Sequence, residues 1–176
     1  MKYSCRFTEF PYRPFLPEKW EEFVHKQSWP GLQIRDVVEG KGVFSTQEFR
    51  KGDIICNYGG NFLEEDYVKK YLIPFEEKCT YLLEMHEKFR ESWGKFYLNH
   101  NDYTKTIGKF INHSKIHDNL KYKIYVRKDG QLDVLFFAKS KIVPNTELLW
   151  NYGKTYSGVE DCVDSCKKCK KCQPKT

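Results

Sequence analysis

The chain has 176 residues, 40% of them hydrophobic and 16% aromatic, with a formal net charge of +6. That length accommodates one ordinary domain with short extensions, and the apolar content excludes global disorder. No stretch approaches the roughly 20 consecutive apolar residues of a membrane span. The opening decapeptide, with Lys2, Arg6 and Glu9, lacks the apolar run of a signal peptide, so a soluble intracellular protein without a membrane partner is expected.

The helix and strand signals come in a regular order. Residues 1–30 are aromatic and Pro-punctuated and read as an N-terminal helical extension. Pro17 can open a helix, because its missing N–H is not needed in the first turn. Trp20, Phe23 and Val24 follow at i, i+3 and i+4, one apolar stripe, which predicts a lid or brace on the main domain. From Leu32 to Val37 the pattern alternates like a strand, Gly40-Lys41-Gly42 reads as a break, and Val43-Phe44 resumes an apolar run. Arg50 to Asp53 is a turn before a strand from Ile54 to Tyr58, which Gly59-Gly60 ends. Leu63 to Ile73 reads as a helix. Leu63, Tyr67 and Tyr71 line one face, Glu64, Glu65 and Asp66 sit near the start where the dipole favours acids, and Pro74 stops it. Thr80 to Met85 and Lys95 to Asn99 are short strands. Tyr122 to Arg127 and Leu132 to Ala138 flank Lys128-Asp129-Gly130, a strong hairpin signal. Pro144-Asn145 turns the chain into Glu147-Leu148-Leu149-Trp150. The pattern predicts a mostly β domain over residues 31–157, followed by a Cys- and Lys-rich tail over 158–176.

Four segments carry more than pattern: Glu39-Gly40-Lys41-Gly42-Val43-Phe44, Asn57-Tyr58-Gly59-Gly60, Ile111-Asn112-His113-Ser114, and Glu147 to Gly153 (Glu-Leu-Leu-Trp-Asn-Tyr-Gly). Gly40 and Gly42 remove side chains where backbone must approach a ligand closely, although alone they read rather as a plain tight turn. Asn112 and His113 are polar residues after the apolar Phe110-Ile111, and buried polar groups must find partners. Taken together, the four segments resemble the SET domain of protein-lysine methyltransferases, from about Leu32 to Tyr156. Asn-His-Ser followed downstream by Glu-Leu-Leu-x-x-Tyr-Gly is the specific part. The spacing, with Lys115 where the wider family has a Cys, is similar to the branch that monomethylates histone four.

That resemblance implies a fold of several small curled sheets and short helices, its C-terminal segment threading knot-like beneath a preceding loop. It implies S-adenosyl-L-methionine (SAM) as cofactor, cradled by Gly40, Lys41 and Gly42 and held by the Asn112 side chain and the His113 backbone, with Phe96 or Tyr97 on the adenine side. Tyr58 and Trp150 would line the substrate-lysine channel, and Tyr152, with Tyr81, would be the catalytic pair. Methyl transfer is an in-line displacement that needs a dry, aligned channel. It needs oxygen atoms around the partly positive methyl, making weak C–H···O contacts. It also needs a neutral lysine, whose ordinary pKa of about 10.4 falls on desolvation. No acid–base triad is required.

The chain departs from the family at several positions. Trp150 stands where most members have Phe or Tyr, and its bulk implies a tight channel and one or two added methyl groups. Asn99 replaces a frequent Asp and Thr106 a frequent Asn. These departures, and the Trp found at this place in PR domains, keep open a non-catalytic SET or PR-like chromatin-binding module. Acidic residues Glu64, Glu65, Asp66, Glu76, Glu77, Glu84 and Glu87 could receive a basic histone tail or form a solvated face.

The tail, Asp161 to Thr176, holds five Lys and two Asp, hence +3 of the +6. Lys167, Lys168, Lys170 and Lys171 could contact DNA phosphates non-specifically. Cys162, Cys166, Cys169 and Cys172 could ligate one zinc ion, form half of a larger module, or remain free thiols. The expectation is a nuclear, SAM-dependent enzyme acting on a histone tail or nucleosome.

Overall fold

The structure is a computed structural model, which describes residues 15–38, 40–71, 82–84, 96–99, 105–130 and 132–152. The helix expected after Pro17 is α1 (Glu18–Lys26). The strands are β1 (Leu32–Val37), β2 (Gly40–Ser45), β3 (Ile54–Asn57), β4 (Asn61–Glu64), β5 (Leu82–Glu84), β6 (Phe96–Asn99), β7 (Asn112–His113), β8 (Leu120–Val126), β9 (Leu132–Ala138) and β10 (Leu149–Trp150). Helix α2 (Glu65–Tyr71) follows β4, and a single 3-10 turn spans Gly108–Phe110. Among the described residues the strands make four small sheets: β1-β2, β3-β9-β8, β4-β6-β5 and β10-β7. The mostly β architecture matches the sequence expectation.

Two local expectations need correction. Gly40-Lys41-Gly42 does not interrupt the strand pattern. It opens β2, with Gly40 opposite Val37 and Gly42 opposite Arg35. Gly40 has φ 111°, a backbone state that side chains resist, so the chain reverses and enters the ladder at once. Leu63 belongs to a strand rather than a helix, because residues 61–64 pair antiparallel with β6 and Leu63 lies opposite Tyr97. Sheet pairing overrides the helical spacing there, and the helix starts at Glu65.

Strand β9 is the centre of the core. All seven of its residues are buried, because both faces of its sheet are covered. On one face lie Tyr125 and Phe137, which meet the Trp20 ring of α1 edge-on at 5.8 and 5.6 Å. Helix α1 is clipped there: Lys128 donates its backbone N–H to Glu21 and its ammonium to Glu18, each at 2.9 Å. On the other face lie Tyr122 and Phe136, which carry Trp150. Thus α1 braces the back of the sheet rather than covering the face that carries Trp150.

The C-terminal strand is held from both edges. Alternate residues of a strand offer their N–H and C=O groups to opposite sides. On one side, Leu148 donates to Val43 at 2.8 Å, Ser114 donates to the Trp150 carbonyl at 3.1 Å, and β10 runs parallel to β7. On the other, Asn119 brackets Leu149: its N–H bonds the Leu149 carbonyl at 3.0 Å and its side-chain oxygen accepts the Leu149 N–H at 2.9 Å. The Asn119 amide also donates to the Glu147 carbonyl at 2.7 Å. The chain from Ser114 to Asn119 therefore crosses from one edge of β10 to the other, which realises the expected passage of the C-terminal segment beneath a preceding loop.

Gly108 marks the tightest backbone approach. A Cβ there would overlap the Asn57 carbonyl oxygen and lie 2.9 Å from the Tyr58 Cα. Both neighbours are backbone and cannot swing aside. Gly108→Ala is therefore expected to destabilise the fold by about 2–3 kcal/mol, read as a lower urea midpoint with an unchanged m-value.

Candidate active site

The Ile111 to Ser114 segment and the segment from Glu147 meet through the β7–β10 pairing, with Leu149 opposite Asn112 and Trp150 opposite His113. Asn112 reaches across to the glycine hairpin. Its amide donates to the Lys41 carbonyl at 3.0 Å and to Glu147 Oε1 at 3.1 Å. Gly42 sits against the same pair: a Cβ would lie 2.7 Å from Glu147 Oε1 and 3.2 Å from the Asn112 amide nitrogen. A side chain here would have to push the Glu147 carboxylate aside. At Gly40, by contrast, a Cβ would meet nothing within 4 Å, so bare backbone faces open space.

Tyr152 is fixed at both ends. Its backbone N–H donates to His113 Nδ1 at 3.0 Å, and its hydroxyl donates to the Ile111 carbonyl at 2.7 Å. His113 Nδ1 thus acts as an acceptor, which places the proton of the neutral imidazole on Nε2. Burial holds the His113 pKa below its ordinary value, against an opposing pull from the Trp150 carbonyl. His113 orients Tyr152, and this bonding leaves it no general-base role.

The wall around Tyr152 is aromatic. Trp150 is 3% exposed. Its ring lies 4.8 Å from Tyr152, 5.0 Å from Phe136, 5.6 Å from Tyr122 and 6.2 Å from Tyr58. Tyr58, Gly40, Lys41, Gly42, Asn112, His113, Trp150 and Tyr152 are thereby tied into one region by hydrogen bonds and ring contacts. Of the other expected site residues, Tyr97 is buried against Val68 and Leu63, and Phe96 lies on β6 beside it. Tyr81 and the four tail cysteines lie outside the described residues, as do Glu76, Glu77 and Glu87. Among the described residues no group of three or more His, Cys, Asp or Glu is placed to hold a metal.

The sequence pattern of the family described as "SET domain" matches residues 40–153. The chain belongs to the SET-domain family. It is 30% identical over 122 residues to "Histone-lysine N-methyltransferase set-1" of Caenorhabditis elegans, covering 68% of this chain and 48% of that protein. It is 26% identical over 133 residues to "N-lysine methyltransferase KMT5A-A" of Danio rerio, covering 74% and 38%. The chain thus spans about half or less of the length of these curated relatives. Among solved structures, CpSET8 from Cryptosporidium superposes with a TM-score of 0.59 at 22% identity, over 78% of this chain and 67% of that one. At that identity the likeness concerns the SET fold.

Several contributors to this SET site escaped sequence reasoning: Asn119, Gly108, Tyr122, Phe136 and the Ile111 carbonyl. The one signal available was Gly108, a glycine placed just before the apolar Phe110-Ile111. Another is Asp133, buried at 3% exposure on the α1 side of β9. Its carboxylate accepts from the Asn57 amide at 3.1 and 3.3 Å and from the backbone N–H groups of Val134 and Gly59. Burial raises its pKa from 3.8 to about 6, against the opposing pull of Arg127 and these hydrogen bonds. The buried Cys56 thiol beside it is held neutral by the same desolvation and by the Asp133 charge.

Between pH 3.8 and about 6 folded Asp133 keeps a proton that the unfolded chain has released. Its contribution to stability is therefore favourable below that window and is lost as pH rises through it. Asp133→Asn should be more stable than the wild type at pH 7, by on the order of 3 kcal/mol at most, and the gap should close as pH falls to 4. Paired denaturation curves across pH 4–7 would measure it; a gap that does not change with pH would refute the assignment.

Proposed function

We propose that this SET domain is the catalytic part of a SAM-dependent protein-lysine N-methyltransferase that adds one methyl group, or two, to a histone-tail lysine. The observation that carries the reading is the Tyr152 hydroxyl. Its proton is committed to the Ile111 carbonyl at 2.7 Å, so its oxygen presents lone pairs to the channel. The phenol oxygen and nearby carbonyls can accept weak C–H contacts from a methyl group in transfer.

The residues present fit the cofactor. Gly40 leaves open space beside bare backbone, and a side chain at Gly42 would press on the Asn112 and Glu147 side chains. Gly40, Lys41, Gly42, Asn112 and His113 would hold it, with Phe96 or Tyr97 on the adenine side. When bound, SAM supplies a methyl group on a sulfonium. Trp150, Tyr58, Tyr122 and Phe136 make a dry aromatic wall that excludes water and favours the neutral amine of an entering lysine. Tyr152, locked by His113, aligns the polar end of that channel. We assign Tyr81 as a second channel tyrosine from the family resemblance.

A histone or nucleosomal substrate and a nuclear location are supported by the names of the relatives, which include histone-lysine methyltransferases. The histone-four branch is supported by the motif spacing and by Lys115. The Lys-rich tail would add salt-sensitive DNA contact, and Cys162, Cys166, Cys169 and Cys172 would bind zinc if the tail carries metal.

The test uses labelled SAM with nucleosomes and core histones. Wild type is expected to transfer label, and Tyr152→Phe to lose roughly 10²-fold in kcat. Trp150→Phe, which widens the channel, should shift the product toward higher methylation states in mass spectra. Absence of both transfer and SAM binding would sink this reading in favour of a non-catalytic, PR-like binding module.

A further inference from the structure

Strand parity separates two neighbours in the Asn57-Tyr58 segment. Asn57 lies opposite Leu135 in the β3–β9 ladder, so it shares the face of Leu135 and Asp133, the face covered by α1. The Tyr58 ring lies on the other face, 6.2 Å from both Phe136 and Trp150. The Asp133 carboxylate bonds the residues on either side of Tyr58: the Asn57 side chain and the Gly59 backbone N–H. The Tyr58 N–H itself donates to the Val134 carbonyl at 2.7 Å. From the opposite side Gly108 presses on the Asn57–Tyr58 backbone without room for a methyl group.

We infer that Asp133 is a positioning residue for the lysine channel, fixing the Tyr58 ring against Trp150 through its bonds to Asn57 and Gly59. A single buried carboxylate spans three consecutive residues whose middle member faces the site. After Asn57 the chain turns sharply, with Gly59 at φ 74° and Gly60 at φ 98°. Backbone in those conformations has little intrinsic rigidity, so an anchor on Gly59 N–H decides where the turn, and Tyr58 before it, come to rest. Asn57 Oδ1 has no hydrogen-bond partner among the described residues. An amide replacing the carboxylate could donate to it, which makes Asp133→Asn the conservative control.

The inference rests on the methyltransferase reading only for its catalytic consequence; the ring position can be read without activity. The full chain would be labelled with 3-fluorotyrosine and the Tyr58 resonance assigned by Tyr58→Phe. In Asp133→Ala that resonance should shift and broaden, while Asp133→Asn keeps it near the wild-type position. With SAM and histone substrate, Asp133→Ala should lose roughly tenfold in kcat with a smaller change in KM, from misalignment rather than lost binding, and Asp133→Asn should restore most of it. If Asp133→Ala does not fold, Asp133→Ser takes its place. An unmoved Tyr58 resonance in the folded variant overturns the inference. A moved resonance with a wild type that transfers no methyl supports the positioning role and counts against the methyltransferase reading alone.

Discussion

The Asn119 side chain holds Glu147 and Leu149 from one edge of the C-terminal strand, while Ser114 and β7 hold it from the other. Two residues of strand pairing would not fix this segment by themselves. The amide supplies the missing neighbour strand, acting as both donor and acceptor on one residue pair. With that grip in place, Trp150 must lie on the Phe136 face of the central sheet, and Tyr152 must arrive where His113 can accept its N–H. The site is a consequence of how the Glu147–Trp150 segment is enclosed.

The glycine hairpin is tied to the same enclosure. Asn112 belongs to β7, yet its amide ends on Lys41 and Glu147. Three segments far apart in the chain are thus joined at one polar group, and Gly42 lies close against it. An amide with both partners present fixes the register of the segments it joins. The same contact registers β2 against the C-terminal strand, so the glycine hairpin and the Tyr152 region cannot shift independently.

The short-range features of this arrangement were legible in the sequence: the hairpin of β8 and β9, the helix after Pro17, and the four motifs that identify the family. Periodicity failed where tertiary pairing decides. Leu63 has helical neighbours but sits in a ladder with Tyr97, and nothing local distinguishes the two. Gly40 and Gly42 look like a break because glycine disfavours strands, yet here a positive φ lets the turn close straight into pairing. Asn119 reads as an ordinary loop residue until the strand it clasps is placed beside it. Asn57 and Asp133 are 76 positions apart, and neither shows from its surroundings in sequence that it will be buried.

The position of Asp133 also answers an electrostatic demand of the proposed methyl transfer. The rings that surround Trp150 are Tyr58, Tyr122, Phe136 and Tyr152, and burial lowers the His113 pKa. A carboxylate among them would favour the ammonium form of an entering lysine and hold back the nucleophile. The turn after β3 nevertheless needs a strong acceptor to anchor it. Alternation along β3 and β9 meets both requirements, because it puts the carboxylate on the α1 face and the phenol of Tyr58 on the other. The backbone of Asn57 to Gly59 carries the mechanical link while the sheet separates the charge from the channel. The cost is a buried acid with a pKa near 6, which the fold tolerates on the face where it does no harm to the amine.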